Sequence, residues 1–193
     1  RFILIDMDNT IVDWDEEFLR RFNESFADLA SNLAIEELVR NRKHFEIEDN
    51  FPEYVRPAVL QVIAQPGFYR SLRPLPDAIE ALQEMLAEGF DVRLVTAPHP
   101  CCPGVCCRDK FAWLKEYLGD EWLHRMILTR DKTLILGDVL IDDKPKITGC
   151  CIPIWKHIIF ERAYNVDVQD RTRIRAWKEW KKILREENET LRW

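Results

Sequence analysis

Two carboxylates one residue apart, Asp6 and Asp8, sit in D-M-D-N-T at residues 6–10, directly after the apolar run Phe2 to Ile5. Carboxylates so spaced divide the labour of phosphoryl chemistry. One attacks phosphorus as a nucleophile, and the other protonates the leaving oxygen and then activates water. A second acidic pair, Asp142 and Asp143 in I-D-D-K, ends another apolar run. Hard oxygen donors of this kind suit Mg2+, which takes one or two carboxylates and shares the phosphate oxygens of its substrate. Asp142 and Asp143 are therefore candidate metal ligands. An anionic nucleophile approaching an anionic monoester also needs donors on the non-bridging oxygens. Thr96, closing D-V-R-L-V-T, and Lys132, in T-R-D-K-T, have the right types for that task. Taken singly, each residue has an ordinary explanation, since acids at strand ends cap turns and helices and most lysines are solvated. Their joint occurrence at strand ends, or in the loops that follow, favours catalysis.

The elements that must position these residues are legible as short apolar runs. Phe2 to Ile5, Asp91 to Thr96, Met126 to Thr129, Val139 to Asp142 and His157 to Phe160 read as buried strands. Helical spacing appears at Leu19, Phe22, Phe26 and Leu29, and again at Val55, Val59, Val62 and Ile63 before Pro66-Gly67. Asp77 with Glu80 has the form of a capping box for the next helix, which Gly89 ends. Phe111, Leu114 and Leu118 mark a further helix, and Ile174, Trp177, Trp180 and Leu184 a C-terminal one. Strands alternating with helices predict an α/β fold, Rossmann-like, with a mostly parallel sheet and helices on both faces. The helical stretch after the first strand predicts a small cap. The expected domains are a core of residues 1–14 and 73–193 and a cap of residues 15–72. In such sheets the ligand sits at the carboxyl ends of the strands, which is where Asp6, Thr96 and Asp142 fall.

With these motifs in place, the chain resembles the haloacid dehalogenase superfamily, whose pattern is Asp-x-Asp, Ser or Thr, Lys and an acidic pair. Within it, the chain is similar to the 5′(3′)-deoxyribonucleotidases. The supporting segments are D-M-D-N-T-I-V-D-W, P-G-F-Y-R-S-L-R-P-L-P, I-L-T-R-D-K-T, L-I-D-D-K-P, I-W-K-H-I-I-F and A-W-K-E-W-K-K-I-L, which together span nearly the whole sequence. The resemblance implies a nucleoside monophosphate phosphatase working through an aspartyl-phosphate on Asp6, with Asp8 as general acid and base. It implies Mg2+ held by Asp6, the Asp8 backbone carbonyl and Asp142, with Asp143 in support, and phosphate held by Thr96, Ala97 and Lys132. Trp14, Phe45, Phe68 and Tyr69 become candidates for an aromatic wall around the base. Core packing is the competing reading for each, and the preferred one for Phe45. Two positions depart from the pattern. Asn9 stands where the family has Gly, and Asn tolerates positive φ better than most residues. Ala97 replaces a serine, removing a hydroxyl worth about 1.5–3 kcal/mol to a charged acceptor and leaving only the backbone N–H.

Composition sets the outer limits. The chain has 193 residues, 47% of them hydrophobic and 32% charged, with a net charge of −6. That suits a globular domain and argues against binding polymeric nucleic acid, which calls for a basic stripe. No apolar run reaches membrane-spanning length and no secretory leader is visible. The expected partner is a small phosphate monoester, and a homodimer is left open. The cytoplasm is the expected location, with the mitochondrion as the alternative. The six cysteines form adjacent pairs, Cys101-Cys102, Cys106-Cys107 and Cys150-Cys151. Free thiols, disulfides or a structural Zn2+ between the loops after the second and fourth predicted strands all remain open, with His99 as a possible added ligand.

Overall fold

A computed structural model describes the backbone of residues 1–190 and the side chains of residues 1–187. Five apolar runs become strands of one parallel sheet: β1 (Phe2–Ile5), β4 (Asp91–Thr96), β5 (Met126–Leu128), β6 (Val139–Asp142) and β7 (Lys156–Phe160). A sixth strand, β8 (Arg173–Ile174), extends it, and the order is β5-β4-β1-β6-β7-β8. β1 lies at the centre, with Ile5 beside Leu94 on one flank and Ile141 on the other. The chain builds outward from β1 first through β4 and β5 and then, on the other side, through β6, β7 and β8. That reversal opens a crevice at the carboxyl end of β1.

Alternation along β1 gives the sheet two faces. Ile3 and Ile5 join the large core that also holds Leu82, Trp113 and Trp177, whereas Leu4 packs with Val95, Leu140 and Trp155. Helices α5 (Ala78–Ala87), α6 (Pro103–Tyr117) and α7 (Trp180–Thr190) follow in chain order.

Between β1 and β4 the chain forms α1 (Trp14–Ser25), α2 (Ala27–Leu33), α3 (Ile35–Arg40) and α4 (Arg56–Ile63). Phe18, Phe22, Val59 and Ile63 are fully buried among them. A two-stranded antiparallel ribbon, β2 (Val12–Asp13) with β3 (Arg73–Pro74), joins the two ends of this segment. No described helix is long and apolar enough to cross a membrane.

Four local expectations need correction. The face Leu19-Phe22-Phe26-Leu29 is not one helix, because the backbone breaks at Phe26 (φ −142°), between α1 and α2. Asp77 adopts a left-handed conformation (φ 62°) and its side chain makes no cap bond to α5. On α6, Phe111 is 39% exposed, and the buried face runs instead through Cys106, Lys110, Trp113 and Leu114. Ile174 belongs to β8, and α7 begins only at Trp180. The spacing of Ile174, Trp177 and Trp180 imitates a helical stripe because a strand, a turn and a helix start bury residues on the same side.

Candidate active site

The loop after β1 carries Asp6, Asp8 and Asn9, and it is held from several directions. The Asp6 N–H donates to Ile141 O at 2.9 Å, so the β1–β6 ladder runs into the site. Asn9 has φ 56°, and its Oδ1 accepts from Trp14 N at 3.1 Å and Asp15 N at 3.3 Å, capping the start of α1. Asparagine here supplies both the left-handed turn and a cap, which glycine cannot do. Arg162 Nε donates to Asn9 O at 2.7 Å, and Trp177 Nε1 to Thr10 O at 2.8 Å.

Carboxylate oxygens of Asp6, Asp142 and Asp143 lie within 4.8 Å of one another, and all three residues are buried. Lys132, from a 3-10 turn at Lys132–Leu134, donates to Asp6 Oδ1 and, at 2.6 Å, to Asp142 Oδ2. Asp142 Oδ1 also accepts from Lys144 N at 2.8 Å. Asp143 accepts from Thr10 Oγ1 at 3.3 Å and from the Tyr164 hydroxyl, and Asn165 Nδ2 donates to the Asp143 carbonyl at 2.7 Å. A second cluster stands alongside. Lys110 Nζ donates to Asp8 Oδ2 and to Thr96 Oγ1, both at 2.6 Å, while Asp8 Oδ1 is buried without a partner.

Burial is the largest influence on these acids. It raises Asp6, against the pull of Lys132, and raises Asp8, against Lys110. Asp143 is pushed well up by burial together with the charges of Asp142 and Asp6. Burial alone would lower Lys132, but Asp142 and Asp6 outweigh it and lift its pKa, so the amine stays charged. Two buried ammonium groups, Lys110 and Lys132, thus pair with three of the four carboxylates, Asp8, Asp6 and Asp142, and Asp143 has hydroxyl partners only. Excess buried negative charge with oxygen-only donors fits a hard divalent cation. Octahedral Mg2+ sets oxygens about 3 to 4 Å apart, close to the span observed.

A cavity of about 330 Å3 opens over these groups, with Trp14, Arg42, Phe45, Glu46, Glu48 and His99 in its walls. That lies at the small end of the range for small-molecule sites. Thr96, Ala97 and Lys132 also line it. Of the four aromatic candidates, Trp14 and Phe45 reach the cavity, and Phe68 and Tyr69 do not. Phe68 is fully buried behind Trp14, with ring centroids 5.3 Å apart, and Tyr69 packs on Phe68 with its hydroxyl 4.0 Å from Cys102 Sγ. Phe45, for which core packing was the preferred reading, is a wall residue. Its ring lies under Lys144 Nζ at 4.6 Å and meets Tyr164 edge-on at 5.8 Å.

The cysteines do not converge. All six are free thiols. Cys150 and Cys151 lie in a loop whose N–H groups donate to Asp131 Oδ2 at 2.8 Å and Thr133 Oγ1 at 3.1 Å. Neither comes within ligand distance of the cysteines that follow β4, so a zinc joining the two loops is ruled out. Asp131 binds the Cys150 loop to the turn carrying Lys132 instead, and that close fit requires Gly149, where a Cβ would fall 1.9 Å from Asp131 Oδ1.

Several residues of the site carry no sequence motif. Lys110 is the most important, and its only signal is phase: a lysine at i+4 from Cys106 and i−3 from Trp113, inside an apolar face. Arg42, 4% exposed, donates to Asp15 Oδ1 at 3.1 Å and to the carbonyls of His44 and Phe45, and it lies 3.9 Å over the Tyr164 ring. Tyr164 and Asn165 come from the turn after β7, far from Asp143 in sequence.

Comparison with known proteins agrees with this geometry. A family model described as "5' nucleotidase, deoxy (Pyrimidine), cytosolic type C protein" matches residues 1–188. A Bordetella pertussis protein bearing a 5′(3′)-deoxyribonucleotidase name is 39% identical over 94% of each chain. The human mitochondrial 5′(3′)-deoxyribonucleotidase is 34% identical, over 94% of this chain and 81% of its own. The human cytosolic type is 32% identical, over 94% and 92%. Among solved structures, a HAD family hydrolase from Deinococcus radiodurans R1, with bound phosphate and sodium, aligns with a TM-score of 0.63 at 13% identity over 96% of this chain and 95% of that one. The HAD-hydrolase YfnB from Bacillus subtilis, bound to magnesium, aligns with a TM-score of 0.53 at 14% identity over 95% and 98%. Identities this low speak for the fold alone.

Proposed function

The chain belongs to the family of cytosolic-type-C 5′-nucleotidases, and from that premise we propose how its residues hydrolyse a nucleoside monophosphate. It is a magnesium-dependent phosphomonoester hydrolase. Residues 15–72 act as a cap over the pocket. Asp6, the Asp8 carbonyl and Asp142 would hold Mg2+, with Asp143 behind them, and an ion bound there would neutralise the charge of the phosphate.

Asp6 attacks phosphorus in line with the ester oxygen. The new bond joins an Asp6 carboxylate oxygen to phosphorus, the P–O ester bond breaks, and Asp8 gives its proton to the departing nucleoside oxygen. Burial raises Asp8, which keeps a proton available for that step. Asp8, now a carboxylate, takes a proton from water. The water oxygen attacks phosphorus, the P–O bond to Asp6 breaks, and inorganic phosphate leaves with Asp6 restored. Lys132 and Thr96 hold non-bridging oxygens throughout, with the Ala97 N–H in place of the missing hydroxyl. Lys110 donates to the Thr96 oxygen, leaving that hydroxyl's proton for the phosphate, and stabilises the carboxylate form of Asp8. Trp14 and Phe45 supply the apolar surface for the base.

One observation carries this reading: three buried carboxylates from β1 and β6 within 4.8 Å of one another, beside a buried lysine. The test is release of inorganic phosphate from deoxyribonucleoside monophosphates with and without Mg2+. Activity that survives a chelator, or that is absent with every nucleotide, contradicts it.

A further inference from the structure

The catalytic carboxylates are all oxygen donors, but the loop after β4 offers nitrogen and sulfur. His99 lines the cavity wall, and donor atoms of Cys101 and Cys102 lie next to it. One donor atom from each of the three lies within 4.8 Å of the other two. His99 Nδ1 is 3.0 Å from Cys101 Sγ. We propose that His99, Cys101 and Cys102 form a binding site for one soft divalent cation of the Zn2+ class, separate from the Mg2+ site.

Donor chemistry and position both support it. One imidazole and two thiolates are a borderline-soft set that selects zinc-like ions, whereas the Asp cluster selects hard ones. Tetrahedral zinc with bonds of about 2.0 Å to nitrogen and about 2.3 Å to sulfur spaces its ligands about 3.5 Å apart. The observed donors lie within 4.8 Å of one another, and Cys101, being exposed, is free to adjust. The fourth position falls to water, since no other His, Cys, Asp or Glu of the described residues joins the group. Each thiol gives its proton to solvent as it ligates, with no change of oxidation state. The Cys102 thiol donates to Ile63 O at 3.7 Å, a bond it gives up when it ligates. Cys150 and Cys151 are a natural control: their sulfurs are 3.8 Å apart, but no third His, Cys, Asp or Glu donor joins them.

The experiment titrates the chelator-treated full chain with Co2+ in excess Mg2+, which keeps the carboxylate site filled. The expected result is a thiolate-to-cobalt charge-transfer band with tetrahedral visible bands, saturating at one equivalent and displaced by Zn2+. Cys101→Ser removes most of the band, and His99→Ala weakens binding by about tenfold or more. The double variant Cys150→Ser/Cys151→Ser keeps it. Cys102 is buried, so Cys102→Ser is read only where its circular dichroism matches the parent, and exposed Cys101 decides otherwise. No charge-transfer band, a band that survives Cys101→Ser, or one lost in the Cys150/Cys151 variant overturns the proposal. Phosphatase activity is measured on the same samples. Normal Mg2+-dependent activity without the band sinks this site alone, and the band without activity sinks the catalytic reading alone.

Discussion

Lys110 donates to Asp8 across 2.6 Å, joining the middle of α6 to the loop after β1 through an ammonium that solvent does not reach. The same nitrogen holds Thr96. A buried cation with two site partners sets charge as well as position.

Lys110→Met leaves Asp8 desolvated without its cation. Breaking such a pair from one side costs about 3–5 kcal/mol, and the Asp8 pKa moves further up. Urea denaturation should show that loss, and adding Asp8→Asn should recover part of it. Turnover should fall in the single variant, because Asp8 then gives up its proton too reluctantly to serve as acid in the first half-reaction. Equal stability of Lys110→Met and the parent would contradict the account.

Arg42 holds the wall rather than the phosphate. Its contacts to the Phe45 carbonyl and the Tyr164 ring fix the aromatic that faces the base. Arg42→Met should cost about 1.5–3 kcal/mol in kcat/KM, the scale of one charged hydrogen bond. Most of that should appear in KM, and steady-state kinetics on one deoxynucleotide separates the two parameters.

Acid should loosen the Lys132 turn only after it has protonated the cluster acids Asp6, Asp8 and Asp143, which burial raises. The Thr133 hydroxyl, followed by the Cys150 and Thr133 backbone N–H groups, holds Asp131 at about 2, against about 3.9 in an unfolded chain. A depressed folded pKa gives stability that is complete above the unfolded value and is lost as pH falls through the folded one. Glu17 acts in the same direction: burial pushes it up, but hydrogen bonds from Arg20, Arg21 and Ser71 bring it below its usual value. Stability should therefore decline from about pH 4 toward about pH 2. Asp131→Asn should flatten that limb, and denaturant melts at pH 3 and pH 7 test it.

The sheet and the acidic cluster were legible in the sequence because they rest on short-range signals. Apolar runs that end in Asp6, Thr96 and Asp142 state both strand and site at once. Lys110, Arg42 and Tyr164 were not legible, since their roles depend on which elements fold together rather than on neighbours in the chain. Phe68 and Tyr69 misled for the same reason: an aromatic beside a family motif looks alike whether it lines a pocket or backs one. Ile174 was misassigned because β8 pairs with β7 through backbone contacts that side-chain spacing does not report. Convergence of the cysteine loops, one of the alternatives left open, does not occur, and Asp131 instead holds the Cys150 loop to the Lys132 turn.

Asp8→Asn removes the base that clears the phosphorylated enzyme, while leaving Asp6 free to attack. Incubation of that variant with Mg2+ and a deoxyribonucleoside monophosphate, followed by acid quench and peptide mass spectrometry, tests the covalent step directly. The account predicts one added phosphoryl group on Asp6, absent when Asp6→Asn is combined with it. A phosphoryl group on any other residue, or phosphate release by Asp6→Asn at the parent rate, would contradict it.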